Sequence, residues 1–190
     1  MNDDRPFDDP IFAQAIAHVL SHEGGFVDDP KDPGGATNFG ISLRLARKLG
    51  DLDGDGKLDL DIDGDGDVDI DDIRQLTRAQ ATMIYKTVFW DMYGYAHLTL
   101  SLGMRVFDFA VNMGPVPAHT LLQRALRACG NRVQEDGRIG PKTMQACQTV
   151  GPAFVIPALR SEAAGFYRQL AAQRPASAKY LEGWLNRAYS

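Results

Sequence analysis

Cysteine is scarce in this chain of 190 residues: Cys129 and Cys147 are the only two, too few for a disulfide framework. No apolar run approaches the roughly 18 residues of a membrane span. The start, Met1-Asn2-Asp3-Asp4-Arg5-Pro6, lacks the cationic-then-apolar pattern of a secretory signal, and a reduced state of both thiols suits that. The four histidines, His18, His22, His97 and His119, show no H-E-x-x-H or other ligand spacing, which disfavours a zinc amidase or peptidase. No run of alternating strands is present either. Collagen-like, membrane-spanning, disulfide-rich and wholly disordered chains are excluded; 44% hydrophobic and 24% charged residues are ordinary values for a globular protein.

The net charge of −5 conceals an uneven distribution. Between Asp51 and Asp72 stand 11 Asp and one Lys, a local charge of −10. The rest carries 19 Lys and Arg against 14 Asp and Glu, a mildly basic body of +5 that does not by itself decide a partner.

Helical patterns dominate that body. Asp9-Pro10 predicts a capped helix start, and Ile11, Phe12, Ala15, Ile16, Val19 and Leu20 share one face before Gly24-Gly25 ends the helix. Residues 26–39, rich in Gly, Pro and Asp, predict a loop or short β-hairpin. Ser42 caps a short helix through Leu49, and Thr77 with Gln80 forms a capping box for a helix running towards Trp90. Further helices are expected over 102–112, 118–128, 141–147, 153–173 and 178–188. A break at Gly114-Pro115-Val116-Pro117 suggests two parts, 1–113 and 114–190, packed as one globule with an insert at 50–73.

The insert holds two copies of D-x-D-x-D-G, ten residues apart. Calcium needs six to eight oxygens from a sharply bent loop, which alternating carboxylates with glycine at position six supply. The second copy offers Asp61, Asp63, Asp65, the carbonyl of Asp67, Asp69, and Asp72 at position twelve, with Gly66 at the turn and Val68 as apolar anchor. The first offers Asp51, Asp53, Asp55, the Lys57 carbonyl and Asp59, but Ile62 stands at its twelfth position and cannot ligate. One EF-hand-like calcium ion is expected, and a second is left open. Without a cation, so many like charges should keep the segment from ordering.

Glu23 stands at the edge of the first helix, facing a glycine-rich turn with Asp32 nine residues on and Thr37 five beyond that. Glycosidic cleavage needs an acid to protonate the leaving oxygen and a group across the sugar to hold water. Phe26 and the apolar helix face give Glu23 the setting a general acid requires, and Asp32 with Thr37 suits the water. By spacing alone, a surface glutamate before a loop is the better reading.

The string from Glu23-Gly24-Gly25-Phe26 through Asp32-Pro33-Gly34-Gly35-Ala36-Thr37-Asn38-Phe39-Gly40-Ile41 strongly resembles glycoside hydrolase family 108, the lysozyme-like N-acetylmuramidases of phage endolysins and bacterial secretion activator proteins. Tyr85 to Asp91, Phe107 to Gly114, and Gly183-Trp184 to Arg187 continue the likeness, while Leu121 to Ala125 and Asp136 to Thr143 resemble the family's C-terminal peptidoglycan-binding region. The resemblance implies a mainly α, lysozyme-like fold with a short hairpin at the active site. It also implies cleavage of the β-1,4 bond between N-acetylmuramic acid and N-acetylglucosamine in bacterial peptidoglycan. It places the catalytic acid on Glu23 and fits Asp32 and Thr37 to the supporting roles, with Asn38 as the neighbour that could take the third. Trp90, with Tyr93 and Tyr95, is a candidate for stacking on sugar rings, and Asn112 for lining the cleft. The acidic insert departs from the family pattern. The expected protein is a monomeric, calcium-responsive endolysin, made in the host cytoplasm and reaching the wall through a holin or similar pore, with no nucleic-acid partner. A lytic transglycosylase and a non-enzymatic wall-binding or secretion-assisting protein are the rivals.

Overall fold

Residues 9–29, 34–52 and 54–190 are described in the computed structural model, so Asp32 and Asp53 lie outside the described residues. In chain order the elements are α1 (Pro10–His22), β1 (Thr37–Asn38), β2 (Ile41–Ser42), α2 (Leu43–Leu49), α3 (Ile70–Gln75) and α4 (Arg78–Ile84). A π-helical turn (Tyr85–Asp91) and a 3₁₀ turn (Tyr95–His97) lead into α5 (Leu100–Met113), α6 (Pro115–Ala128), α7 (Pro141–Val150) and α8 (Pro152–Gln173). A second 3₁₀ turn (Pro175–Tyr180) precedes α9 (Leu181–Tyr189). The fold is mainly helical with one small antiparallel hairpin, β1 against β2.

Local chemistry sets the boundaries. Oδ1 of Asp9 accepts from the amides of Ile11 and Phe12, both at 3.0 Å, satisfying donors that the first turn of α1 leaves open. Ser42 caps α2 through the amide of Leu45, and Thr77 and Gln80 form the reciprocal box that starts α4. Helices α6, α7 and α8 each begin Gly-Pro, with proline in the first turn where its missing N–H costs nothing. Two elements depart from expectation. The helix from Thr77 does not run on to Trp90 as an α-helix but widens into the π turn at Tyr85, which shifts the phase of its aromatic side chains. The acidic insert ends in a helix, α3, that the sequence pattern hid: Asp69 and Asp72 form its capping box, so residues read as ligands also serve as a helix start.

The chain divides into two compact units, Ile16–Val88 and the remainder (Met1–Ala15 with Phe89–Ser190). Within Ile16–Val88, Ile16, Val19, Leu20, Ile41, Leu60, Val68, Ile73, Ile84 and Tyr85 form the core. Helix α2 packs on β2 and α3 on β1. The side-chain amide of Asn38 donates to the carbonyls of Ile73 (2.9 Å) and Leu76 (3.2 Å), tying β1 to the end of α3. Arg47 Nε donates to the Val68 carbonyl at 2.7 Å, holding the last part of the acidic loop against α2.

In the other unit, α8 packs against α5, α6, α7 and α9. Phe12, Trp90, Tyr95 and Phe107 form an aromatic cluster with ring centroids 5.4–6.2 Å apart. Asp108, fully buried on α5, accepts two bonds from Arg187 Nε on α9, at 3.1 and 3.2 Å, and pairs with its Nη2 at 3.0 Å. Breaking such a pair from one side strands a buried charge.

Candidate active site

Just beyond the last turn of α1, the chain reverses against the hairpin. The Gly24 carbonyl accepts from the Phe39 amide at 3.2 Å. Val27 and Thr37 exchange two backbone hydrogen bonds of 2.8 Å, adding a third strand-like segment to β1–β2. The register, Thr37 with Ser42 and Asn38 with Ile41, leaves Phe39-Gly40 as a two-residue turn. Both turn residues have positive φ, +48° at Phe39 and +78° at Gly40, the signature of the type I′ turn that suits strand twist. A phenylalanine in that region is strained, and such strain persists only where the surroundings over-determine it. Here they do: the buried Tyr85 hydroxyl donates to the Phe39 carbonyl at 3.0 Å.

The same turn locates Glu23. A β-carbon added at Gly40 would fall 2.4 Å from the Tyr85 hydroxyl, 2.7 Å from Glu23 Oε2 and 2.9 Å from Glu23 Cδ. The half-buried Glu23 carboxyl and the Tyr85 hydroxyl therefore lie together over a turn kept bare of side chain. Tyr85 and Gly40 are site residues that the sequence reading did not single out as such. Both lie in segments that carry the family resemblance, but nothing in those segments told which aromatic of 85–90 reaches the turn, because the π turn changes the periodicity.

The remaining candidates separate clearly. Thr37 is half-buried on β1 and its hydroxyl donates to the Gly35 carbonyl at 3.3 Å. Its neighbour Asn38 points away, 5% exposed, with its amide committed to α3. Of the two, Asn38 is the one whose side chain is committed to another element. Trp90 must be corrected: it is fully buried, its indole N–H donates to Asp9 Oδ2 at 2.9 Å, and its faces meet Phe12, Tyr95 and Phe107. It is a core residue whose polar atom is satisfied, with no face left for a sugar. Tyr95 is likewise buried, its hydroxyl 2.7 Å from His119 Nε2, and burial pushes its titration far above the usual tyrosine range. Asn112, exposed in the last turn of α5, accepts from the Tyr167 hydroxyl at 2.7 Å. Both cysteines are free thiols; burial pushes that of Cys147 up to about 11.

In the acidic segment the two copies share one local device. Asp61 accepts from the amides of Gly64 (2.7 Å), Asp65 (3.0 Å) and Gly66 (2.9 Å); Asp51 accepts from Gly54 (2.6 Å) and Gly56 (2.8 Å). They differ in how the loop closes. In the second copy Asp72, 1% exposed, accepts from Ile62 (2.6 Å), Asp63 (3.3 Å) and Asp69 (2.7 Å). In the first, Asp59 takes the Leu52 amide and no carboxylate stands at position twelve. Carboxylate oxygens of Asp61, Asp63 and Asp65 lie within 4.8 Å of one another, and so do those of Asp67, Asp69 and Asp72. Desolvation, then the charge of Asp65, raises the titration of Asp63 above the ordinary aspartate value; for Asp67 the charge of Asp65 comes first and desolvation second. An all-oxygen donor set, carboxylates with the Asp67 carbonyl, bent round glycines fits a hard divalent cation of calcium's kind. Asp55 and Asp59 belong to the first copy and are exposed.

No helix among the described residues is long and apolar enough to cross a membrane. No curated protein matches the chain. Among solved structures, that of Brucella abortus SagA is similar, with 31% sequence identity, a TM-score of 0.72, and alignment over 94% of this chain and 89% of that one. Residues 117–189 match a family described as "Predicted Peptidoglycan domain". Residues 16–114, just over half of the chain, match glycosyl hydrolase 108, and with the Glu23 hairpin inside that span the chain belongs to the glycosyl hydrolase 108 family.

Proposed function

We propose that this glycoside hydrolase is an N-acetylmuramidase, a lysozyme that hydrolyses the β-1,4 bond between N-acetylmuramic acid and N-acetylglucosamine in peptidoglycan. Glu23 donates the proton to the bridging oxygen, while Asp32 and Thr37 orient the attacking water. Support comes above all from the placement of the Glu23 carboxyl over the Gly40 turn beside the Tyr85 hydroxyl. A rigid turn without a side chain lets an acid and a substrate oxygen approach, and a fixed acid is worth more than a free one because its position is settled before reaction. With water held opposite the acid, inversion at the anomeric carbon is the expected outcome.

Calcium is the second component. Asp61, Asp63, Asp65, Asp69 and Asp72 with the Asp67 carbonyl hold one ion, which supplies positive charge to a segment of 11 aspartates. The loop feeds α3 through the Asp69–Asp72 box, α3 holds Asn38, and Asn38 adjoins the Phe39-Gly40 turn under Glu23. Ordering the loop therefore steadies the hairpin, and calcium raises activity as well as stability.

The test is product analysis on purified peptidoglycan, wild type beside Glu23→Gln, with and without calcium. The expected products carry reducing N-acetylmuramic acid ends, and Glu23→Gln loses nearly all turnover while still binding the wall. Anhydro ends, lighter by one water, would identify a transglycosylase instead. Undiminished turnover in Glu23→Gln would refute the assignment of the acid.

A further inference from the structure

The C-terminal region carries a second built feature, far along the sequence from Glu23. Residues 131–140 form no helix or strand, yet they are pinned from beneath. Gln123, 1% exposed on α6, donates through Nε2 to Asp136 Oδ1 (2.8 Å), the Arg138 carbonyl (2.9 Å) and Thr143 Oγ1 (3.4 Å), and accepts from the Gly137 amide at 2.9 Å. His119, also 1% exposed, adds a 2.9 Å bond from Nδ1 to the Gly137 carbonyl. Gly137 is held at φ +70°, where a β-carbon would meet Val116 at 2.8 Å. Such buried polar networks fix one conformation when every member is satisfied.

The consequence is an anion held in place beside a cavity of about 390 Å³. Asp136 Oδ1 accepts from Gln123 and from the Arg138 amide (2.9 Å), and these bonds keep its carboxyl below the usual range, so it stays ionised. Arg138 and Lys142 line the same cavity and form no salt bridge among the described residues. Lys142 also lies in the first turn of α7, where the helix dipole adds positive potential. One fixed anion and two cations outside any salt bridge line a space large enough for a small ligand and complement a group that is itself dipolar.

We propose that the cavity lined by Gln123, Gln134, Asp136, Arg138, Lys142 and Thr143 binds the charged end of a peptidoglycan stem peptide, a carbon bearing both an ammonium and a carboxylate as in diaminopimelate. Asp136 takes the ammonium; Arg138 and Lys142 take the carboxylate. This rests on the peptidoglycan reading above and deepens it: selection here is by wall peptide, not by wall sugar.

The test is calorimetric or NMR titration of the full chain with the tripeptide L-alanyl-γ-D-glutamyl-meso-diaminopimelate, beside its L-lysine counterpart, which lacks the side-chain carboxylate. The diaminopimelate peptide should bind about tenfold or more tightly than the lysine peptide, one charge-assisted contact apart. Asp136→Asn keeps the Oδ1 acceptor that Gln123 and Arg138 use, so it should fold with an unchanged thermal midpoint and lose about tenfold in affinity. Lys142→Gln, an exposed side chain, should remove most of the preference for diaminopimelate and serves if Asp136→Asn does not fold. Equal affinity for the two peptides, indifference to both variants, or no binding of either peptide would overturn the proposal. Reducing-end release from whole sacculi by the unaltered chain, scored separately, shows whether the hydrolase reading stands when this one fails.

Discussion

At Gly40 the backbone takes φ +78° with the Tyr85 hydroxyl and the Glu23 carboxyl closed down upon it. At Gly54, Gly56, Gly64 and Gly66 it takes φ between +79° and +101° with nothing within 4 Å of where a β-carbon would stand. Both regions turn on left-handed glycines beside carboxylates, but only the hairpin needs glycine twice, for its conformation and for its emptiness. The acidic loops need conformation alone, since their carboxylates bond to amides a few residues away. One turn is written by tertiary packing and the other by local hydrogen bonding, and the two should fail differently.

The largest effect is expected at Gly40→Ala. An alanine at positive φ costs about 1–2 kcal/mol, and overlap with Tyr85 and Glu23 adds to it. Because relief comes by moving the acid, turnover should fall about a hundredfold, out of proportion to the loss in stability. Adding Tyr85→Phe removes the nearest obstructing atom, so the double variant should recover part of the melting midpoint. Chemical denaturation and reducing-end assays on the three variants measure both terms. Additive losses would mean that conformation alone, as in the acidic loops, governs Gly40.

That asymmetry marks what the sequence made legible. Helix starts were readable because Asp9, Ser42 and Thr77 act on amides two or three residues away. The alternating aspartates with glycines told of a bent oxygen-rich loop for the same local reason. Trp90 was misread because an aromatic beside a suspected site looks the same in sequence whether it faces sugar or Asp9, and its indole bond spans 81 residues. Tyr85 was passed over because a π turn re-aims its side chain, and helix α3 was hidden because its capping aspartates sit in a ligand pattern. The resemblance told where to look for Glu23; the Gly40 contact tells why its carboxyl stays put. The family matches part at residues 114 and 117, near the expected seam, whereas the compact units part at 15/16 and 88/89, since α5 and α6 pack together across the single residue Gly114.

A smaller effect separates the two acidic copies from each other. Gly56→Ala and Gly66→Ala meet the same open space, at φ +87° and +101°, so each should cost about 1 kcal/mol locally. Only the second copy closes on a buried carboxylate, Asp72, with its anchor Val68 5% exposed; the corresponding Leu58 is 37% exposed. Calcium should therefore raise the unfolding midpoint of the unaltered chain and of Gly56→Ala alike, and raise that of Gly66→Ala less at the same concentration. Equal calcium increments for both glycine variants would put the ion elsewhere or in both copies.

The smallest effect is a pH dependence of that calcium increment. Asp63 and Asp67 titrate above their ordinary value in the ion-free fold, Asp63 through desolvation and then the repulsion of Asp65, Asp67 through the repulsion of Asp65 and then desolvation. A carboxyl raised by folding binds more protons folded than unfolded, so it destabilises the ion-free fold at neutral pH and is relieved as pH falls through its raised value. Calcium reverses the sign by favouring the ionised form: protons and calcium compete for the Asp63 carboxylate, and the ion's charge holds the neighbouring Asp67 carboxylate ionised. The difference in midpoint between calcium-loaded and resin-stripped protein should be full near pH 7 and shrink on acidification towards pH 5. Taking the difference at each pH cancels every group that titrates alike in both states, including His119, whose burial lowers its own titration. An increment constant across that range would detach calcium from Asp63 and Asp67, leaving their repulsion to be borne by solvent alone.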